Sequence, residues 1–214
     1  MKISIVRNIL EVNESAAREN RERLDRAGVV AVNITSAPGS GKTSLLEATV
    51  PGLSLEGMCA VIVGDLQTSR DAERIAVLGV ESVQINTEGG CHLTASQVSA
   101  ALDRLDLDGL SFIFIENIGN MVCPAGFDLG EHARVAMLSV PEGDDKIGKY
   151  HTLFQPADVI VLNKTDLIGV LDYDLNRVTD DLGRVNTRAP FLRMSVKTGE
   201  GIEAWLAWLR GLKV

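Results

Sequence analysis

The sequence predicts an α/β domain in which helices cover both faces of a mainly parallel sheet. Seven apolar runs of strand length alternate with helical stretches, and several of these runs are followed directly by polar residues. Continuous apolar strands are typical of parallel sheets that are buried on both faces. Ligands of such sheets bind beyond the carboxyl ends of the strands, where the polar residues lie. A chain of 214 residues suffices for one such domain with a well-buried core.

The order of the elements follows from the alternation of apolar and helical stretches. The predicted strands run over Val29 to Thr35, Ala60 to Val63, Val83 to Asn86, Phe112 to Glu116, Arg134 to Ser139, Val159 to Asn163 and Phe191 to Ser195. The predicted helices run over Asn13 to Ala27, Lys42 to Val50, Asp71 to Leu78, Thr94 to Leu105, Leu171 to Leu182 and Gly201 to Leu212. Charges of alternating sign fill the first helix, so we expect it to be largely exposed, with Asn13 as its cap.

Composition and charge argue against several classes of partner. The chain carries 21 Lys and Arg against 29 Asp and Glu, a formal net charge of −8, and no basic block indicates nucleic-acid binding. Its apolar runs are far shorter than the roughly 20 residues that span a bilayer, and its start lacks a signal-peptide pattern. We therefore expect a cytoplasmic protein with no membrane and no nucleic-acid partner. The three cysteines cannot all pair within one chain, and we expect them to remain thiols.

A glycine-rich loop follows the first predicted strand. Residues Ser36 to Thr43 read Ser-Ala-Pro-Gly-Ser-Gly-Lys-Thr and lead directly into a helix, the context that a phosphate-binding P-loop requires. The first position is Ser where the standard pattern has Gly. Backbone N–H groups of such a loop bind phosphate oxygens, Lys42 adds a positive charge, and the Thr43 hydroxyl can ligate Mg²⁺. The sequence therefore predicts a nucleotide site whose binding residues are Gly39, Ser40, Gly41, Lys42, Thr43 and Ser44.

A second motif indicates the base of the nucleotide. The run Val159 to Leu162 leads into Asn163-Lys164-Thr165-Asp166, which has the spacing of the guanine-reading motif of GTPases. The Asp166 carboxylate can accept hydrogen bonds from the ring N1–H and the exocyclic amine of guanine, whereas adenine presents the opposite pattern. A further segment, Ser195-Val196-Lys197-Thr198-Gly199, resembles the loop that closes over the base oxygen in the same superfamily. Its expected binding residues are Ser195, Val196 and Lys197. GTP, with GDP as its product, is therefore the expected ligand.

Three carboxylates are candidates for the phosphate end of the site. Glu116 ends a strand and begins a Glu-Asn-Ile-Gly segment, at the place where GTPases usually carry an Asp-x-x-Gly segment that supports Mg²⁺. Asp65 and Asp71 flank a polar loop suited to a switch, and both are candidates for binding Mg²⁺ or for orienting water. Helix capping or solvent exposure is an equal alternative for each. We expect Lys42 and Mg²⁺, the latter bound by Thr43 with Asp71 or Glu116, to carry most of the catalysis. Neither a catalytic Gln nor an arginine finger is evident, so hydrolysis should be slow.

A thiol and imidazole constellation lies close to these segments. Cys91 and His92 follow two glycines, and Cys123 follows the Glu-Asn-Ile-Gly segment. Thiolate and imidazole ligands suit Zn²⁺ or Ni²⁺ far better than Mg²⁺. Three ligands leave an incomplete tetrahedral shell, which water or a second subunit could fill. Plain burial is the alternative for the thiols, since free Cys is often buried, and Cys59 in an apolar strand is predicted to pack in the core.

Together these residues resemble one family, the GTPases that assist nickel incorporation into [NiFe]-hydrogenase. The resemblance covers nearly the whole chain. Besides the nucleotide motifs it includes Asn13 to Asn20, Gly64-Asp65, Asp71 to Ile75, Gly90 to Leu93, Glu116 to Ala125, Phe127 to Glu131 and Glu142 to Lys146.

The resemblance implies a P-loop fold of the class that includes the signal-recognition-particle GTPases. It also implies a GTP-dependent homodimer in which Cys91, His92 and Cys123 bind Ni²⁺ or Zn²⁺ at the subunit interface. Nickel would be delivered together with a small zinc-containing partner protein and would reach the hydrogenase large subunit indirectly. Residues 1–28 would form a segment that docks this partner, and residues 29–214 the GTPase domain. No Cys or His precedes Cys59, so high-capacity nickel storage is not expected.

Alternatives stay open for the first segment and for the function. Apolar residues between Ile3 and Leu10 could dock the partner, form an edge strand or pack in the core. A related GTPase could serve urease or a cobalamin enzyme. A P-loop small-molecule kinase would have no use for the motif Asn163 to Asp166, and a zinc-stabilised interaction protein would not bind GTP.

Overall fold

The computed structural model describes residues 2–55, 57–65, 74–87 and 89–212, and for residues 2–9 and 65 it describes the backbone alone. Within these ranges the strands are β1 (Val30–Ser36), β2 (Met58–Asp65), β3 (Glu81–Asn86), β4 (Leu110–Glu116), β5 (Ala133–Ser139), β6 (Val159–Asn163) and β7 (Phe191–Arg193). Every predicted strand is confirmed, and its ends shift by two residues or fewer.

The seven strands form one parallel sheet in the order β3-β2-β4-β1-β5-β6-β7. Strand β1 is buried along its whole length and lies between β4 and β5, as its apolar sequence predicts. In the register of the sheet Ile34 lies opposite Glu116, and Ser139 lies opposite Asn163. The P-loop, the predicted Mg²⁺ carboxylate and the base motif therefore leave the same edge of the sheet.

Helices cover both faces of this sheet. Within the described ranges they are α1 (Lys2–Ala27), α2 (Lys42–Gly52), α3 (Ala95–Leu102), α4 (Lys146–Lys149), α5 (His151–Phe154), α6 (Leu175–Val185) and α7 (Ile202–Arg210). Val32 of β1 shares a buried cluster with Leu45 of α2 and Trp205 of α7. Its neighbour Ala31 points to the other face and shares a cluster with Leu24 of α1. Of the predicted helix over Asp71 to Leu78, residues 71–73 lie outside the described ranges, residues 74–76 are helical, and a turn follows.

Helix α1 differs from its prediction. It begins at Lys2 instead of after Asn13, so the predicted N-terminal cap is wrong, as is the edge strand considered for the segment from Ile3 to Leu10. The Asn13 side chain is buried; its Nδ2 donates to the Asp128 carbonyl at 2.7 Å and its Oδ1 accepts from Ala95 N at 2.9 Å. These partners are distant in sequence, and they override the local capping preference.

Among the described residues no helix is both long and apolar enough to cross a bilayer.

Asn20 makes a similar buried contact about two turns further along the same face of α1, and it offers a test of how α1 is attached. Its Nδ2 donates to the carbonyls of Ala95 at 2.8 Å and Leu129 at 2.9 Å, with the side chain 2% exposed. Asn20→Ala leaves both buried carbonyls without this donor, so the free energy of unfolding should fall by about 1–3 kcal/mol. Urea denaturation followed by circular dichroism measures the change. The exposed Glu19→Ala on the same helix is the control, and equal stability of the two variants would contradict the assignment.

Candidate nucleotide and metal site

The P-loop turns between β1 and α2 and borders a cavity at the carboxyl edge of the sheet. Gly39 and Gly41 have positive φ angles of 76° and 102°, which side-chain-bearing residues rarely adopt. The cavity has a volume of about 410 Å³, and it is lined by Pro38, Gly39, Gly41, Lys42, Thr43, Ser44, Gly64, Arg74, Glu116, Asn117, Ile118, Gly119 and Lys164. The loop, the helix N-terminus and the cavity together suit a phosphate chain.

The Thr43 hydroxyl, the Glu116 carboxylate and the Lys42 ammonium group all line this cavity. The Thr43 hydroxyl donates to Glu116 Oε1 at 2.8 Å, and Lys42 Nζ donates to Ser36 Oγ at 3.2 Å. All four side chains are buried. Hydroxyl and carboxylate oxygens are the donor set that Mg²⁺ prefers, so Thr43 and Glu116 fit this ion. Strand β2 ends at Asp65 next to the cavity-lining Gly64, but the Asp65 side chain and all of Asp71 lie outside the described part of the chain.

The predicted base-reading residues lie beside the P-loop. Asn163 Nδ2 donates to the Ser40 carbonyl at 2.9 Å, and Asn163 Oδ1 accepts from Val196 N at 3.2 Å. The Ser195 hydroxyl donates to Asp166 Oδ1 at 2.7 Å. Both loops that the sequence assigns to the base are therefore joined to each other and to the phosphate loop. Two lysines complete the set: Lys164, whose Nζ donates to the Gly39 carbonyl at 2.7 Å, and the exposed Lys197.

The structure brings Cys91, His92 and Cys123 together. One ligand atom from each lies within 4.8 Å of the others, and Cys91 Sγ is 3.5 Å from His92 Nδ1. The Phe127 ring packs on the imidazole with its centroid at 3.9 Å. Two sulfurs and one ring nitrogen at this spacing fit a soft transition ion and leave a tetrahedral shell open at the fourth position. Cys59 is 6% exposed in β2 and belongs to the core, as predicted.

The protonation of this cluster is set by burial and by a hydrogen bond between its two thiols. A hydrogen bond with Cys123, together with burial, raises the pKa of the Cys91 thiol. Burial lowers the pKa of His92. At neutral pH the imidazole is thus in the neutral form that binds metals, whereas the Cys91 thiol must lose its proton when an ion binds.

Four further residues, which motif spacing did not single out, support the site. Arg74 lines the cavity, and its guanidinium donates to Glu47 Oε2 at 2.7 Å and to Ser44 Oγ at 3.0 Å. Glu142 Oε1 accepts from the Ser40 hydroxyl at 2.7 Å and so supports the P-loop from the β5 side. The other two are Asn117 and Asn120, which follow β4. All four lie in segments that carry the family resemblance, which was the available signal.

The P-loop lies between a central strand and a helix. The Thr43 and Glu116 oxygens lie at its end, and the base motif lies beside it. This arrangement defines a nucleotide-binding protein of the P-loop class. The family model for the CobW/HypB/UreG nucleotide-binding domain matches residues 30–193. A hydrogenase maturation factor HypB from Azotobacter vinelandii is 50% identical over 208 residues, which are 97% of this chain and 68% of the relative. The chain therefore belongs to the HypB family of hydrogenase maturation factors.

Solved structures agree with this assignment. The crystal structure of HypB from Helicobacter pylori in complex with nickel has a TM-score of 0.88 and 39% identity, covering 92% of this chain and 93% of that one. HypB from Archaeoglobus fulgidus has a TM-score of 0.88 and 40% identity over 94% and 98% of the two chains. The signal recognition particle 54 kDa protein from Aeropyrum pernix in complex with GDP has a TM-score of 0.60 and 12% identity, covering 86% of this chain and 46% of that one. This last likeness concerns the fold alone and confirms the predicted class.

Gly41 provides a test of the P-loop geometry. A Cβ atom at this residue would lie 2.6 Å from Asn163 Nδ2, at a φ of 102° that is strained for Ala. Gly41→Ala should therefore displace Asn163 and weaken nucleotide binding by about tenfold or more, which a fluorescent nucleotide titration measures. Gly169→Ala is the control because no atom lies within 4 Å of its Cβ position. Unchanged affinity in Gly41→Ala would show that the described approach of the two loops is incorrect.

The raised pKa of Cys91 predicts a pH dependence of metal binding. The thiolate is the ligand, so binding releases a proton and the affinity for Zn²⁺ or Ni²⁺ should rise with pH. His92, with its lowered pKa, is already largely neutral and should contribute little. We expect affinity to increase about tenfold or more between about pH 6 and pH 8, measured by competition with a chromophoric chelator of known proton affinity. A flat profile would contradict thiolate ligation.

Proposed function

We propose that the protein is a GTP-hydrolysing metallochaperone that delivers nickel during the maturation of [NiFe]-hydrogenase. One observation carries this proposal: the segment that begins at the cavity with Glu116 ends in the metal cluster at Cys123, seven positions later. A change at the phosphate end of the cavity therefore has a short covalent route to a metal ligand. The solved relative from Helicobacter pylori, in complex with nickel, supports nickel as the cargo.

GTP is the proposed nucleotide. The two base loops meet beside the P-loop through Asn163, and Asp166 is oriented by the Ser195 hydroxyl at 2.7 Å. Asp166 would accept from the two N–H groups that guanine presents on one edge and that adenine does not. Discrimination would follow from the cost of leaving a polar group unpaired when adenine enters.

Hydrolysis would depend on charge stabilisation by groups that are already positioned. Thr43 and Glu116 would bind Mg²⁺, with Asp65 and Asp71 as further candidates, and the ion would supply neutralisation of charge on the phosphate oxygens. Lys42, a buried residue of the P-loop, would bind the phosphates nearest the cleaved bond. We propose slow intrinsic turnover, as in regulatory GTPases that await a partner.

The metal cluster would hold Ni²⁺, or Zn²⁺, as cargo and not as a permanent structural ion. Cys91, His92 and Cys123 provide three soft or borderline ligands, and the cluster is partly exposed. A second copy of the chain in a homodimer would complete the shell. Residues 1–28 would dock the small zinc-containing partner, and residues 29–214 would form the GTPase domain. The hydrogenase large subunit would be served indirectly, in the cytoplasm, where thiols stay reduced.

The test measures Ni²⁺ affinity and sedimentation of the purified protein with GDP and with a non-hydrolysable GTP analogue. We expect the two affinities to differ by at least about fivefold, the lower range of coupling between sites. The analogue should also favour the dimer. Equal Ni²⁺ affinities in the two states would eliminate the coupling, because a ligand indifferent to the state shifts no equilibrium.

Two cysteine variants complete this experiment. Cys91→Ala should lose Ni²⁺ and keep guanine-nucleotide affinity, since its side chain lies in the cluster and not in the cavity lining. Cys59→Ala is the matched control: it removes a thiol from the core and leaves the three cluster ligands in place. Retention of Ni²⁺ by Cys91→Ala would refute the metal assignment.

A further inference from the structure

Asn120 lies between the two segments that supply the metal ligands. Its Nδ2 donates to the Cys91 carbonyl at 3.2 Å. Its Oδ1 accepts from Val122 N at 2.8 Å and from Cys123 N at 3.4 Å. One half-buried amide therefore contacts the backbone of a ligand in each segment, although Cys91 and Cys123 are 32 positions apart in the chain.

The two ends of this amide do different things. Its oxygen orders the turn that leads into the short helix Cys123–Gly126, a role that many Asn residues fulfil locally. Its nitrogen reaches a carbonyl 29 positions earlier in the chain, which no local turn requires. Of the two ends of this amide, only the nitrogen contacts the segment that carries Cys91.

Residues just before Asn120 lie against the nucleotide cavity. A Cβ atom at Gly119 would be 2.9 Å from Pro38 Cα, so this residue packs directly on the P-loop. Asn117 Oδ1 accepts from Ile118 N at 2.9 Å and from Leu93 N at 3.4 Å. The segment from Glu116 to Asn120 is thus held on one side by the P-loop and on the other by the loop of Cys91 to Leu93.

We propose that Asn120 is a positioning residue that joins the two halves of the metal cluster, so that a shift of the Glu116 to Asn120 segment moves Cys91 and Cys123 relative to each other. The inference rests on the proposed function, and it assigns to one side chain the coupling between nucleotide state and metal affinity. Without the bridge, movement of this segment would displace Cys123 directly, and Cys91 would be linked to it only through the longer contact of Asn117 Oδ1 with Leu93 N. The ligand set would then be both looser and less responsive to nucleotide.

Two variants separate the bridge from the turn. In Asn120→Ser a neutral hydroxyl can still accept from the backbone N–H two residues on, as Ser does in comparable turns, but it is too short to reach the Cys91 carbonyl. In Asn120→Ala both contacts are lost. Asn176→Ala, an exposed Asn near the start of α6, is the control for removing an amide from the surface.

The experiment measures Ni²⁺ affinity of each purified protein with GDP and with the non-hydrolysable GTP analogue, together with the thiolate-to-nickel charge-transfer band. We expect Ni²⁺ affinity to fall about tenfold or more in both Asn120 variants, as for other residues that orient metal ligands. The ratio of affinities in the two nucleotide states should approach one, and the band should change. Guanine-nucleotide affinity should stay within about twofold of the unmodified protein, which shows that the fold and the cavity are intact.

The outcomes distinguish this inference from the function on which it rests. Wild-type affinity and state dependence in Asn120→Ser would overturn the bridge and leave the metallochaperone proposal standing. Equal Ni²⁺ affinities of the unmodified protein in both states would remove the metallochaperone coupling, while a tenfold loss in Asn120→Ser would still support the bridge between the ligands. If the unmodified protein binds no Ni²⁺, both proposals fail.

Discussion

The parallel pairing of β4 beside β1 is the constraint on which both sites depend. Its register sets Glu116 opposite Ile34, two residues before the P-loop begins, and so delivers a carboxylate to the Thr43 hydroxyl at 2.8 Å. Both strands are buried along nearly their whole length, so the hydrogen bonds of this pairing are shielded from water. Everything after Glu116, including the turn to Cys123, starts from a point that the sheet has fixed. Cys123 therefore takes its position from the same strand that places Glu116 at the nucleotide site, whereas Cys91 and His92 follow β3.

A buried polar chain extends this constraint across the core. Asn117 Nδ2 donates to Asn33 Oδ1 at 3.2 Å, Asn33 Nδ2 donates to Glu131 Oε1 at 3.3 Å, and Arg134 Nε donates to the same oxygen at 2.7 Å. Burial raises the pKa of Glu131, while the Arg134 guanidinium opposes this change. Polar groups in an apolar surrounding tolerate few alternative arrangements, since a broken contact leaves an unpaired partner. These hydrogen bonds thus hold Asn117 in one orientation, and the loop that follows it starts from a rigid position.

Much of this architecture could be predicted from the sequence, and the reasons are physical. The seven strands were predictable because parallel strands buried on both faces are continuous apolar runs, and the P-loop because its chemistry fixes residue types at fixed spacing. The cap at Asn13 was wrong because its amide has partners on Asp128 and Ala95 that no local pattern reveals. The bridging role of Asn120 was likewise not predicted, since its contact joins segments that only the folded sheet brings together. Local preference predicts elements; it does not predict which polar side chains connect them.

Under the proposed function the protein carries an ion and later releases it. The unfilled coordination position of the metal cluster is consistent with this role. Structural zinc sites are closed by four protein ligands, whereas sites that exchange a ligand keep a position open. Here three ligand atoms lie within 4.8 Å of one another at a partly exposed position, and two of the ligands belong to a loop held by Asn117 and Asn120. A fully closed site would retain its ion whatever the nucleotide, because a small loop shift could not remove enough ligands. With three ligands on two segments, separating the segments by even a fraction of a bond length weakens the whole set, so a modest conformational change has a large effect on release.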